Sequence, residues 1–226
     1  MPCSTPTGSG PVAERRPIAA RSAGWAQAAA RRLAASRVTP NQISASSMLF
    51  AALAFACFWL SLPAGPLIAA QLLFAAALFC QLRLVANLLD GMVALEGGKG
   101  GPTGPFWNEA PDRVADVLIL AGLGLACGLP WLGCLAGAFA VGTAYIRELG
   151  RAEGLAADFC GPMAKPHRMA AVTAGCVAGA VEVLIWGSGW ALFAVLWLVA
   201  LGTAFTALRR AIRMIRALSL PREPGT

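Results

Sequence analysis

The stretch NLLDGMVALEGGKGGPTGPFWNEAPDRVAD, residues 87–116, interrupts an otherwise apolar chain. It holds Asp90, Glu96, Glu109, Asp112 and Asp116, five of the eleven acids in 226 residues. The chain is 58% hydrophobic and 13% charged, about half the charged share of a soluble domain. That is too little charge to cover a surface in water. The apolar runs on either side are each close to the roughly 20 residues that cross a bilayer. The sequence therefore reads as an all-α integral membrane protein, with six transmembrane helices at about 44–62, 66–89, 108–128, 131–149, 168–186 and 190–208.

Charge sets the expected topology. The 18 Lys and Arg lie before the first span, after the last, in the connections 90–107 and 147–168, or at Arg83 and Arg113. The connections SLPAGP, CGLPW and WGSGW carry none. Cations on one side of an even number of spans place both termini and both long loops in the cytoplasm, in a bacterial inner membrane. The net charge of +7 then reflects this bias and attraction to anionic membrane lipids, with no nucleic-acid partner expected. The seven cysteines are scattered without CxxC spacing and read as small apolar packers.

Residues 1–16 read as a disordered tail, and no apolar segment follows closely enough to suggest a cleaved signal peptide. Residues 17–37, PIAARSAGWAQAAARRLAASR, carry strong helix formers, one Trp, and arginines at 21, 31, 32 and 37. They read as an amphipathic helix on the cytoplasmic membrane face. Residues 38–216 form the six-span domain and 217–226 a tail. Asn41 or Ser44 could cap the first span after Pro40. Arg209, Arg210, Arg213 and Arg216 read as a stop-transfer, lipid-facing segment. Small residues within the spans predict close helix packing.

Ionisable residues at membrane depth mark function by default. Arg83, Asn87, Asp90 and Ala94 follow at i, i+4, i+7 and i+11, one helical face. Asn108, Asp112 and Asp116 recur every four residues at the start of the next span. Two helix ends presenting oxygen donors could converge on a hard cation such as Mg²⁺, while GGKGGPTG offers bare backbone for a phosphate. The plainer alternative is a surface loop flanked by capping acids. Asp116 and Glu96 read more readily as helix-face or loop acids than as ligands.

The pattern N87-xx-D90-G91-xx-A94-L95-x8-G104-xxx-N108-xxx-D112 resembles the CDP-alcohol phosphotransferase signature D-xx-DG-xx-AR-x8-G-xxx-D-xxx-D, with every gap preserved. VTPNQIS, residues 38–44, is similar to the TPN-x-(I/V)-T segment that leads into the first span of that family. The resemblance implies a six-helix, usually homodimeric membrane enzyme of phospholipid synthesis. Such enzymes move a substituted phosphate from a CDP-linked donor to an alcohol or lipid acceptor and release CMP. It implies one or two Mg²⁺ or Mn²⁺ ions at Asn87, Asp90, Asn108 and Asp112, with Asp112 as general base. Asp90, Gly91, Ala94, Thr103 and Gly104 would line the nucleotide pocket. The segment from Arg147 to Arg168 is partly similar to the RAE-x-G…R-x-E-R region of phosphatidylinositol-phosphate synthases. That similarity implies phosphate binding, of acceptor or lipid, by Arg147, Arg151, Lys165 and Arg168. His167 reads as a polar loop residue.

The chain departs from the signature at Asn87, Asn108 and Leu95. Two amides remove two negative charges from a site built for divalent ions. Three outcomes follow: one ion on Asp90, Asp112 and the amides; Glu109 substituting for Asn108; or a catalytically silent relative that binds a CDP-compound or lipid. A transporter reading has only Glu182, a lone acid in the fifth span, behind it.

Overall fold

The structure, a computed structural model, describes residues 23–96, 98 and 102–219. The tail 1–16, residues 17–22 of the expected interfacial helix, most of the glycine-rich loop and residues 220–226 lie outside the described residues. The described residues form seven helices: α1 Gly24–Ala35, α2 Pro40–Ser61, α3 Pro66–Glu96, α4 Gly104–Ala126, α5 Pro130–Ala152, α6 Lys165–Trp186 and α7 Trp190–Leu218. Five of the six long helices start on or beside a proline (Pro40, Pro66, Pro105, Pro130, Pro166). Its missing N–H costs nothing in the first turn, and its fixed φ suits a helix start.

The α2 start was expected to be capped by Asn41 or Ser44, but the N-cap is Thr39. Its side chain accepts from the Gln42 N–H while the Gln42 side chain reaches back to the Thr39 N–H, a reciprocal capping box. Pro40 at the first helical position puts the cap two residues before Asn41. Ser44 is thereby left on the helix body, one turn in.

Helix α2 packs on α3 and α4, α5 on α4 and α7, and α6 on α7 and α3. The neighbour order α3–α2–α4–α5–α7–α6 thus returns to α3, giving a closed ring. Its apolar core draws on α2 through α7, including Phe58, Leu73, Ile119, Leu123, Leu132, Met169 and Leu196. Helix α1 lies against α3, burying Ala26 and Ala30 in a second cluster with Ile43, Ala86 and Val93.

Four helices, α2, α3, α6 and α7, are long and apolar enough to cross a membrane. Helices α4 and α5 have 23 residues each but carry charged residues toward their N-terminal and C-terminal ends respectively, Glu109, Asp112, Arg113 and Asp116 on α4 and Arg147, Glu148 and Arg151 on α5. Outside the ring, large apolar side chains such as Leu60, Ile68, Leu78, Ile185, Leu201 and Phe205 are exposed. In water such a surface is costly; against acyl chains it is the favoured state, so the chain is an integral membrane protein. Trp59, Trp131, Trp186 and Trp190 are exposed at one end of the bundle, where α2 and α6 finish and α5 and α7 begin. That is the pattern of an interfacial aromatic belt. Apart from Glu182, the charged residues of the long helices gather toward the other end.

Small residues let two helices touch. A Cβ on Gly133 of α5 would sit 2.5 Å from the Leu120 carbonyl oxygen and 2.8 Å from Gly124 Cα of α4. Glu182 is not a lone buried acid. It accepts from Ser188 Oγ (2.6 Å) and from the N–H groups of Trp190 (2.9 Å) and Ala191 (2.7 Å), tying the start of α7 to the end of α6. Arg210 also departs from the expected lipid-facing tail. It is buried and donates to the Cys160 and Thr143 carbonyls at 2.9 Å, anchoring the α5–α6 connection. Cys160 lies in that connection rather than in a span, and the thiols at 57, 80, 127, 134 and 176 are free.

Candidate functional site

The spacing that places Arg83, Asn87 and Asp90 on one face of α3 turns them toward the interior of the ring. There they meet Asp112 and Asp116 of α4 and Lys165 and Arg168 of α6. Asp116 is fully buried and is the hub. Its Oδ1 accepts from Arg83 Nη2 at 2.8 Å, and its Oδ2 accepts from Arg168 Nη2. Both arginines are as buried as Asp116 itself, so the three charges have no water to solvate them and depend on each other. One carboxylate therefore joins α3, α4 and α6.

Asp112 stands one helical turn toward the open end. Its Oδ2 is ion-paired to Lys165 Nζ, and its Oδ1 accepts from Asn87 Nδ2 and faces Arg83 Nη2 at 3.4 Å. Arg83 also donates to the Asp112 backbone carbonyl at 3.1 Å. Asp90 is 6% exposed, and its Oδ2 accepts from Ser44 Oγ of α2 at 2.7 Å. Its Oδ1 is buried without a hydrogen-bond partner, an expensive state for a carboxylate oxygen. Asp112 and Lys165 are its charged neighbours.

The other predicted positions fall around this cluster. Gly91 and Ala94 are half-buried on the last turns of α3. Thr103 precedes α4 and Gly104 opens it, both on the rim with the exposed Asn108. Glu109 does not join Asp112: its carboxylate pairs with Arg113 and with Arg147 of α5, the latter at 2.7 Å. The four cations expected to bind phosphate thus sort into two groups. Lys165 and Arg168 belong to the interior cluster. Arg147, also paired with Glu148 at 2.8 Å and lying over the Phe159 ring, and Arg151, paired with Glu148 at 3.2 Å, form a surface chain of ion pairs. Beside it, a cleft of about 310 Å³ is lined by Phe106, Glu109, Arg113, Tyr145 and Glu148 among others. His167 is exposed, with Nδ1 3.1 Å from the Pro162 carbonyl oxygen.

Sequence reasoning missed three members of the cluster. The sequence suggests Ser44 as a cap and Asp116 as a helix-face acid, and it puts Arg83 on the polar stripe without a role. A signal existed for two of them. Arg83 lies on the same stripe as Asn87 and Asp90, and Asp116 lies one turn from Asp112, so an arginine and an acid at membrane depth had each other as obvious partners. Ser44 lies 46 residues from Asp90, and only the packing of α2 on α3 brings them together.

Among the described residues, no group of three or more carboxylates, imidazoles or thiolates converges. Asp90 and Asp112, with the Asn87 amide beside them, are a donor set of the kind that suits a divalent ion, while Asn108 lies exposed on the rim. The unpartnered Asp90 oxygen is the atom that points to an ion. One or two carboxylates completed by substrate phosphate oxygens is a common way of holding Mg²⁺.

No family model matches the sequence, and no curated protein matches it. Solved structures do. The crystal structure of Mycobacterium tuberculosis phosphatidylinositol phosphate synthase (PgsA1) with CDP-DAG bound matches with a TM-score of 0.70 at 24% identity, over 85% of this chain and 94% of that one. The same protein in complex with manganese and citrate matches with a TM-score of 0.70 at 23% identity, over 89% and 95%. Its apo form matches with a TM-score of 0.68 at 22% identity, over 87% and 100%. The chain has the fold of these structures over most of its length.

Proposed function

We propose that this chain is a membrane transferase of phospholipid synthesis. It moves a substituted phosphate from a CDP-linked donor, CDP-diacylglycerol or a CDP-alcohol, to an alcohol hydroxyl and releases CMP. The observation that carries this reading is the interior cluster itself. The residues of the signature-like pattern, Asn87, Asp90 and Asp112, meet at the charged end of a fold shared with a synthase crystallised with CDP-DAG. All six long helices span the membrane in this reading, with both termini and the site cytoplasmic in a bacterial inner membrane, and the chain pairs as a homodimer. The gathering of Lys and Arg at the end opposite Trp59, Trp131, Trp186 and Trp190 supports that orientation.

Asp90 and Asp112, with the amide oxygens of Asn87 and Asn108, would hold one Mg²⁺ or Mn²⁺, which would supply charge neutralisation at the diphosphate. Gly91, Ala94, Thr103 and Gly104 form the small-residue rim where cytosine and diphosphate approach. The acceptor hydroxyl attacks the phosphorus that carries the lipid or alcohol, a new P–O bond forms, and the P–O bond to CMP breaks. CMP leaves with that electron pair, and Asp112 takes the hydroxyl proton. Arg147, over the Phe159 ring, and Arg151 would meet an anionic acceptor or lipid headgroup. Arg168, locked on Asp116, holds the cluster together instead.

The test is CMP release by the purified protein with Mg²⁺ or Mn²⁺ and a panel of CDP-donors and alcohols. Asp90→Ala and Asp112→Ala should each lower turnover by at least roughly 100-fold. A variant that keeps its activity refutes the assignment of that residue. One observation favours a second reading, a silent CDP- or lipid-binding relative: both oxygens of Asp112 are already engaged. Tight CDP binding with no CMP from any pair would establish that reading instead.

A further inference from the structure

The interior cluster contains three carboxylates, Asp90, Asp112 and Asp116, and three cations, Arg83, Lys165 and Arg168. In their ordinary charge states these side chains cancel. A divalent cation entering alone would bring two uncompensated charges into a low-dielectric site. It would also compete with Lys165 for Asp112. A diphosphate diester carries two negative charges, so with a divalent ion it forms a neutral pair, and the cluster can take up that pair without acquiring net charge.

The three cations are not equivalent. Arg83 and Arg168 are 0% and 1% exposed, sit within their helices and are fixed on Asp116. The Lys165 side chain is 26% exposed. It is the first residue of α6, directly after the α5–α6 connection. Its one ion pair among the described residues is to Asp112 Oδ2. A lysine is a point charge on a flexible stem, suited to changing partners without losing its charge. Asp90 Oδ1 meanwhile stays buried and unpartnered nearby, a ligand atom that no side chain has satisfied.

We propose that Lys165 is an exchangeable counter-ion. It holds Asp112 in the empty site and passes to the donor's diphosphate when a divalent ion and the diphosphate enter together, freeing Asp112 Oδ2. The ion and the nucleotide therefore bind as a coupled pair. This rests on the transferase reading above and adds to it the order and the residue by which the site fills.

The experiment is a Mn²⁺ titration of the detergent-solubilised full chain, followed by electron paramagnetic resonance, with and without excess CDP. In the unaltered protein CDP should tighten Mn²⁺ binding by at least roughly tenfold, within the usual range of coupling between two ligands. In Lys165→Met and Lys165→Gln, Mn²⁺ alone should bind tighter than in the unaltered protein, and the effect of CDP should shrink. Equal Mn²⁺ affinity with and without CDP in the unaltered protein, with CDP bound, overturns the proposal and leaves the nucleotide site standing. Folded Lys165 variants that keep the full CDP dependence overturn it likewise. Absence of CDP binding at any Mn²⁺ concentration overturns both this proposal and the transferase reading.

Discussion

Replacing Asp116 by alanine isolates the interaction on which the bundle's polar interior depends. The Asp116 carboxylate is fully buried and takes Arg83 on one oxygen and Arg168 on the other. Its removal has unequal consequences for the two arginines. Arg83 keeps the Asp112 carbonyl at 3.1 Å and the Asp112 carboxylate at 3.4 Å. Arg168 loses the one hydrogen bond its side chain makes to the described residues, because its Nε and Nη1 already lack partners. A buried guanidinium left without its acid costs about 3–5 kcal/mol. At a few degrees per kcal/mol for a chain of this size, Asp116→Ala should lower Tm by roughly 6–20 °C. Thermal unfolding in detergent, followed by tryptophan fluorescence, reads this directly. The asymmetry makes a second, sharper expectation. Combining Asp116→Ala with Arg168→Met should recover most of the loss, whereas combining it with Arg83→Met should not, because the stranded cation is Arg168. A Tm within about 2 °C of the parent for Asp116→Ala, or equal recovery by both second substitutions, would refute the hub assignment.

Two further substitutions test the packing that holds the site in place. Gly133→Ala puts a methyl group 2.5 Å from the Leu120 carbonyl oxygen and 2.8 Å from Gly124 Cα. Both are backbone atoms that cannot rotate away, so α4 and α5 must separate, at about 1–3 kcal/mol in the same unfolding assay. Gly142→Ala on the same helix meets nothing within 4 Å and should stay within about 0.5 kcal/mol of the parent; equal losses for the two would contradict the close contact. Glu182→Gln exchanges a carboxylate accepting three hydrogen bonds at the start of α7 for a neutral amide. It should cost about 1 kcal/mol, as the loss of an N-terminal cap does; no change in Tm would mean those contacts do not stabilise the helix start.

The sequence by itself determined the membrane class, the helix count from α2 onward, and the helix limits to within four residues except at the charged ends of α3 and α7. The physical reason is that apolar length and flanking charge are one-dimensional quantities. The expected spans stopped where polarity began, at 89 and 208, whereas α3 and α7 run on to Glu96 and Leu218. Hydrogen bonding continues a helix beyond the apolar segment, and no hydropathy pattern records that. The stripe Arg83–Asn87–Asp90 and the repeat Asp112–Asp116 were also legible, because helical periodicity alone puts such residues on one face.

Tertiary structure decided which charges meet. Helix α4 packs on α2 and α5 while α6 closes the ring against α3, so Asp116 finds Arg168 from 52 residues away and Asp112 finds Lys165 from 53. It also divided four similar cations into two kinds. Arg147 and Arg151 share a surface ladder with Glu109 and Glu148, and Lys165 and Arg168 complete a buried cluster. Electrostatics at membrane depth depends on distance and burial more steeply than on residue type. The sequence therefore named the charged residues, and only the closed ring of helices determined which of them cancel.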